Sequence, residues 1–340
     1  MNDVKDRLLH TVDRLSMVRL LVLGDIVADE YIFGQPTRLS REAPIPVLEY
    51  RGRQIRPGGG TNPAMNARAL GATVHVAGII GNDEMGETLR SQLADVGIDP
   101  SGLVTVDGRR TYTKTRIVAG DTQVFHQQVA RIDRVDYQPV GADVNDKLWA
   151  FLSDCLKDVD ALLIADYEAG VINETILECC LPCARKLGTM ICVDAHAELF
   201  RFRGVTVATP NQPEASLSVG YPINDAASLE RAGRALVDTM DAEAVLITRG
   251  SDGMALFERD MPTSTMPSAV FGQMRDPTGA GDTVAAVFAM ARIAAASYLD
   301  AALLANLAAG VVVSRLGVAT CSPDDLREAI VTWQPTTVSE

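Results

Sequence analysis

The stretch Ala161-Leu162-Leu163-Ile164-Ala165-Asp166 carries the reading of the fold: five apolar residues in a row, ending on a carboxylate. A short run without polar alternation reads as a strand buried on both faces. The unit recurs to either side. Upstream it is Arg19-Leu20-Leu21-Val22-Leu23-Gly24-Asp25 and residues 74–80. Downstream it is Met190-Ile191-Cys192-Val193-Asp194, then 205–208 before Thr209-Pro210-Asn211, then 244–247 before Thr248. Helical spacing fills intervals such as 62–70 and 84–96. Strands alternating with helices predict an α/β domain with a mainly parallel sheet covered on both faces, and ligands at the carboxyl ends of the strands. Asp25, Asp166, Asp194, Asn211 and Thr248 fall at those ends. Each of them taken singly is also what a turn or a helix cap selects.

Two stretches break the pattern. Residues 31–56 are short alternating pieces interrupted by Pro36, Pro44, Pro46 and Gly52. Residues 111–132 have the same texture, with Gly120-Asp121 as a turn before a second strand at 123–132. Two separated insertions of strand character predict one small lid sheet assembled from both. The chain is read as a single domain over 1–335, with a loose tail after Thr332.

Composition narrows the function. The chain has 340 residues, 47% apolar but only 5% aromatic, so Ala, Val, Leu and Gly build most of its core. A net charge of −13 argues against nonspecific binding to nucleic acid or anionic membranes. No apolar run approaches the roughly 18 to 20 residues of a membrane span, and residues 1–20 lack a signal-peptide core, so a cytoplasmic protein is expected. Cys179, Cys180 and Cys183 crowd together, but no matching His or Cys cluster exists elsewhere, and they read as buried thiols rather than a metal site.

The segment richest in chemistry is Asp276-Pro277-Thr278-Gly279-Ala280-Gly281-Asp282-Thr283, followed by a small-residue helix at 284–296. Glycines at a helix start leave N–H groups approachable, and the helix dipole favours an anion there. A carboxylate in the first turn, Asp282, can accept a proton from an attacking hydroxyl. By itself this segment is equally an ordinary capped helix. The second segment, Pro57-Gly58-Gly59-Gly60-Thr61-Asn62, lets backbone approach a ligand while Asn62 offers an amide fork. It is neither a Walker A loop nor a dinucleotide fingerprint, and a flexible turn before a helix is its alternative.

Taken together, an early Gly-Gly-rich helix, a late Gly-Ala-Gly-Asp helix and a split β lid resemble the PfkB, or ribokinase-like, family of carbohydrate kinases. The resemblance covers residues 20 to about 323. It implies a three-layer α/β/α domain with a β-sheet lid, and a reaction between a sugar hydroxyl and ATP with Mg²⁺. Asp282 matches the family's catalytic base, and the amides of Gly279, Ala280 and Gly281 its anion hole. Asp29 matches a residue that binds sugar hydroxyls, with Gly58, Gly59 and Asn62 as further contacts; Arg116 and Asp166 join the substrate side. Asn211 and Glu214 match an Asn-x-x-Glu element that organises Mg²⁺ and phosphates. Thr248, Gly250 and Gly253 look like the turn beside phosphates and adenosine, and Asn306 matches a residue near the adenine. Asp276 and Thr278, with carbonyls at 311–317, occupy the place of a monovalent-cation site that takes K⁺ in many relatives.

Within the family the chain resembles the kinases of D-glycero-D-manno-heptose 7-phosphate. The resemblance lies in Arg38-Leu39-Ser40-Arg41-Glu42-Ala43-Pro44-Ile45-Pro46-Val47, Arg56-Pro57-Gly58-Gly59 and Thr113-Lys114-Thr115-Arg116. It departs where that group has Asp-Tyr-Ala-Lys-Gly and Asp-Pro-Lys-Gly: here stand Asp166-Tyr167-Glu168-Ala169-Gly170 and Asp194-Ala195-His196-Ala197. Both lysines are absent, and one position carries an acid. Arg38, Arg56, Lys114, Arg116 and Arg131 remain as phosphate partners from the lid, or as solvated charges. The acceptor is thus heptose 7-phosphate or an unphosphorylated sugar or nucleoside. A non-catalytic sensor on the same fold, or a nicotinamide oxidoreductase, is the reading from other classes. The nucleotidyltransferase module that often follows such kinases does not fit after Pro323, so adenylylation is not expected of this chain. Unpaired lid edges predict a homodimer through the lid, burying residues such as Ile45, Val47 and Ile55.

Overall fold

The computed structural model describes residues 2–121, 124–269, 271, 276–315 and 317–334. In chain order the first elements are α1 (Asn2–Arg14), β1 (Arg19–Gly24), β2 (Ile26–Leu39), β3 (Pro46–Gly59), α2 (Thr61–Ala69), β4 (Thr73–Gly81), α3 (Glu84–Asp95) and β5 (Asp99–Val106). Next come β6 (Tyr112–Asp121), β7 (Val124–Arg134), α4 (Ala142–Cys155), β8 (Ala161–Asp166), α5 (Glu174–Leu187) and β9 (Met190–Ala195). The last are β10 (Val207–Ala208), α6 (Gln212–Val219), α7 (Ala226–Met240), β11 (Ala244–Thr248), β12 (Met254–Glu258), β13 (Ser264–Met266), α8 (Ala280–Ile293), α9 (Tyr298–Val313) and α10 (Pro323–Thr332).

Among the described residues a nine-stranded sheet runs in the order β13-β12-β11-β10-β9-β8-β1-β4-β5. It is parallel from β11 to β5, with an antiparallel edge at β12 and β13. Alternate strand residues feed two apolar layers. Leu20, Val22, Leu163 and Cys192 pack with α1, α2, α8, α9 and α10, whereas Leu21, Leu23, Leu162, Ile164 and Val193 pack with α4, α5 and α7. A strand with both faces covered has no polar face to show, which is why 19–24 and 161–165 read as unbroken apolar runs. The resulting three-layer α/β/α arrangement is the one expected. No helix among the described residues is long and apolar enough to cross a membrane.

The second sheet has the order β3-β2-β6-β7, with β2 and β6 parallel and the outer pairs antiparallel. Its segments reach further than 31–56 and 111–132. β2 leaves β1 with only Asp25 between them, and β3 continues to Gly59. The chain can return into the main sheet there because Gly60 packs on Gly24: a Cβ on Gly60 would stand 2.9 Å from the Gly24 Cα. Residues 122 and 123, where the predicted turn meets the second strand, residue 316 in the carbonyl stretch at 311–317, and the tail at 335–340 lie outside the described residues. Of the crowded cysteines, Cys180 is buried, whereas Cys179 and Cys183 on the same helix are half-buried. Among the described residues no cluster of His, Cys, Asp or Glu could by itself hold a metal ion.

Candidate active site

Helix α8 opens at the carboxyl end of the parallel strands. Its N-cap is Gly279 at φ +83, a left-handed conformation that favours glycine. The Ala280 N–H is already taken by the Pro277 carbonyl at 3.2 Å. The N–H groups of Gly281 and Asp282 have no acceptor among the described residues, and the positive end of the helix faces a cavity of ≈ 240 Å³ that Gly279, Gly281 and Asp282 line. Helix α2 lies alongside. Asn62 Nδ2 donates to Asp282 Oδ2 at 2.5 Å, and the Thr283 hydroxyl donates to Asn66 Oδ1 at 3.1 Å. The hydroxyl of Tyr167 donates to Asp282 Oδ1. Burial pushes the Asp282 carboxyl up to about 6, against the hydrogen bonds from Tyr167 and Asn62; Asp29 raises it and Lys114 lowers it. It is therefore a carboxylate at neutral pH with a basicity well above that of an exposed aspartate.

The small sheet forms the opposite wall. Asp29 on β2 is only 5% exposed, and Arg116 on β6 donates to its Oδ1 at 2.5 Å. Lys114, two residues earlier on the same face of β6, reaches the cavity with its ammonium over the rings of Tyr112 (5.2 Å) and Tyr167 (5.3 Å). Desolvation pushes the Lys114 ammonium down, against the pull of Asp29 and Asp133. Gly59 and Asn62 line the cavity. Gly58 lies beneath Asp29, where a Cβ would stand 2.4 Å from Asp29 Oδ2. Asp166 does not line the cavity. It shares the strand face of Leu162 and Ile164, so it turns into the α4–α5 layer, where it accepts from the Glu168 N–H (3.0 Å) and stands 3.5 Å from Arg201 Nη1. Burial raises it to about 6.

On the third side, Asn211 caps α6 in a reciprocal box. Its side chain accepts from the Glu214 N–H at 2.9 Å, and Glu214 Oε2 accepts from the Asn211 N–H at 2.7 Å. The other oxygen of Glu214 is aimed at the cavity, 4.0 Å from His196 Nε2. Burial pushes Glu214 up to about 7. Asp194 follows Met190 and Cys192 on the α8 face of β9 and so faces the same cavity. Burial, then the charges of Asp282 and Glu214, drive it well above the usual carboxylate range. Thr248 joins this cavity to a second one of ≈ 120 Å³ lined by Gly250, Gly253, Ala280, Asn306 and Val313. The Asn306 amide is spent on backbone, accepting from Ala269 N–H (3.3 Å) and donating to the Pro267 carbonyl (2.8 Å), so it shapes that wall.

Asp276 is held by the Thr278 N–H (2.9 Å) and the Gly317 N–H (3.1 Å), and its own N–H donates to the Val313 carbonyl (3.2 Å). The structure thereby brings Asp276, Thr278 and residues 313 and 317 together. Arg56 donates to the Val318 carbonyl at 3.4 Å, and Arg131 pairs with Asp133. Sequence reasoning gave Tyr167 no role of its own, and left Asp194 as a strand-end acid. Their strand-end positions were visible, but the alternation that turns Asp194 inward and Asp166 away appears only once the register is known.

Residues 19–325 match the pfkB family carbohydrate kinases. The chain belongs to that family and is a carbohydrate kinase. It is similar to the bifunctional protein HldE of Geobacter metallireducens, 39% identical over 310 residues, which are 91% of this chain and 62% of that protein. The protein of the same name from Desulfatibacillum aliphaticivorans is 38% identical over 320 residues, 93% of this chain and 64% of its own length. The chain thus spans less than two thirds of the length of these relatives. The fold is shared with Arabidopsis thaliana ribokinase complexed with ribose and ATP, at TM-score 0.74 and 19% identity over 93% of this chain and 99% of that one. Phosphofructokinase-2 of Escherichia coli in complex with potassium gives TM-score 0.73 and 20% identity over 92% and 98%.

Proposed function

We propose that the chain phosphorylates a sugar that already carries a phosphate, with heptose 7-phosphate as the acceptor its sequence resemblance favours. The observation that supports this is the placement of Lys114 and Arg116 in the same cavity as Asp29 and Asp282. Two cations on one strand face give a phosphate a partner on the wall away from α8. They remain where the two lysines at 169 and 196 are missing, of which position 169 is buried here and holds alanine.

In this reading Asp29 and Asn62 orient the sugar hydroxyls. Asp282 takes the proton of the acceptor hydroxyl as its oxygen bonds to the γ-phosphorus and the bond to the ADP leaving group breaks. The N–H groups of Gly279 and Gly281, joined by that of Asp282 in place of the occupied Ala280 N–H, stabilise charge on the phosphoryl oxygens. Thr248, Gly250, Gly253 and Asn306 bound the place for the nucleotide. Glu214, which the Asn211 cap aims at the cavity, would receive a divalent cation indirectly, through water. With no protein cage among the described residues, Mg²⁺ would be held largely by water and phosphate, where it would neutralise phosphate charge. Asp276 and Thr278, with the described carbonyls of the 311–317 stretch such as that of Val313, suit a monovalent cation such as K⁺. Exposed apolar side chains on or beside the small sheet, among them Leu39, Ile45, Tyr50 and Ile132, support a homodimer through that sheet. Ile55 is half-buried against the main core, with the rest of its side chain left for such a contact.

The test is ADP release from MgATP with K⁺ across heptose 7-phosphate, fructose 6-phosphate, ribose, fructose and adenosine. Turnover with heptose 7-phosphate that falls at least about tenfold in Lys114→Met or Arg116→Met is expected. Turnover with an unphosphorylated sugar alone would contradict the proposal.

A further inference from the structure

We infer that Tyr167 is the positioning residue of the base: its hydroxyl fixes the Asp282 carboxylate toward the acceptor, and its ring ties that carboxylate to the small sheet. The inference rests on the reading of Asp282 as base. Tyr167 donates to one carboxylate oxygen and Asn62 to the other, so the plane of the group is set from both sides. A carboxylate has about four lone-pair sites, which leaves room for the acceptor proton.

Tyr167 is itself held from three directions. Its N–H, with those of Ala169 and Val171, donates to the buried Asp25 carboxylate at 2.8, 3.0 and 3.2 Å. His196 stands edge-on to its ring at 4.4 Å, and the Lys114 ammonium lies over it at 5.3 Å. Lys114 belongs to β6, so the residue that aims the base also touches the sheet that faces the sugar. The ionisable groups around Asp282 are Asp29 on β2, Lys114 and Arg116 on β6, Tyr167 after β8, Asp194 and His196 at the end of β9, and Glu214 on α6. The Tyr167 hydrogen bond lowers the basicity that burial confers on Asp282.

The test is Tyr167→Phe, which keeps the ring and its stacking and removes only the donor. Expected are a fall in kcat of about 10- to 100-fold with both KM values held within about twofold, and an acid limb of kcat/KM moved up by about one pH unit. If that variant does not fold, 3-fluorotyrosine at 167, a stronger donor, decides: the limb moves to lower pH. Asp282→Asn is measured in parallel. If Asp282→Asn is inactive while Tyr167→Phe keeps wild-type kcat and an unmoved limb, the inference falls alone. A fall in kcat with an unmoved limb also overturns it. If Asp282→Asn stays active, the base assignment falls and takes this inference with it.

Discussion

Asp282 is a charged group that the fold holds where charge is costly, and two predictions follow from its surroundings. With the carboxyl raised to about 6 and the carboxylate as the working form, kcat/KM of the wild type should fall as pH drops through about 6. A limb near the ordinary aspartate value would refute this. A raised carboxyl also destabilises the native state above its folded value, because the unfolded chain ionises more readily. Asp282→Asn should therefore melt higher than wild type at pH 8, the gain shrinking as pH falls toward 5. A melting temperature lowered at pH 8 would show that the hydrogen bonds outweigh the burial. Gly58→Ala places a Cβ 2.4 Å from Asp29 Oδ2. It should raise the acceptor KM about tenfold or more by displacing that carboxylate, with the ATP KM unchanged; equal effects on both would place Asp29 elsewhere.

At the scale of elements, what could be read from sequence was what depends on neighbours in the chain. The Gly279 to Asp282 helix start and the glycines entering α2 use local backbone chemistry, and the apolar strands announce themselves by burial on both faces. β5 and β12 are not among the predicted strands: β5 begins Asp99-Pro100-Ser101-Gly102, residues that favour turns, and β12 starts directly after the Gly250–Gly253 turn. Convergence of Lys114, Tyr167, Asp194 and His196 on one cavity was beyond reach, because it depends on strand order and register. The α6 cap joins both levels, since Asn211 holds the helix and also steers Glu214. Asn211→Ala should cost about 1 kcal/mol in denaturant unfolding and weaken MgATP binding in titration. Loss of stability with intact MgATP affinity would confine Asn211 to capping.

For the whole molecule, the nine-stranded sheet supplies one wall of the cavity and the four-stranded sheet the opposite one, and the chain passes between them at Asp25 and Gly60. The exposed apolar residues on the small sheet predict that light scattering at micromolar concentration gives twice the 36.4 kDa chain mass, with Ile45→Asp shifting it toward the monomer. A wild-type monomer would remove the homodimer. The central claim is phosphoryl transfer with Asp282 as base. Its most direct measurement is single-turnover phosphorylation of the best acceptor by wild type and Asp282→Asn, with MgATP affinity titrated on both. A loss of about 10² to 10⁴ in rate at unchanged MgATP affinity is predicted. An Asp282→Asn enzyme that transfers phosphate at the wild-type rate would contradict the claim.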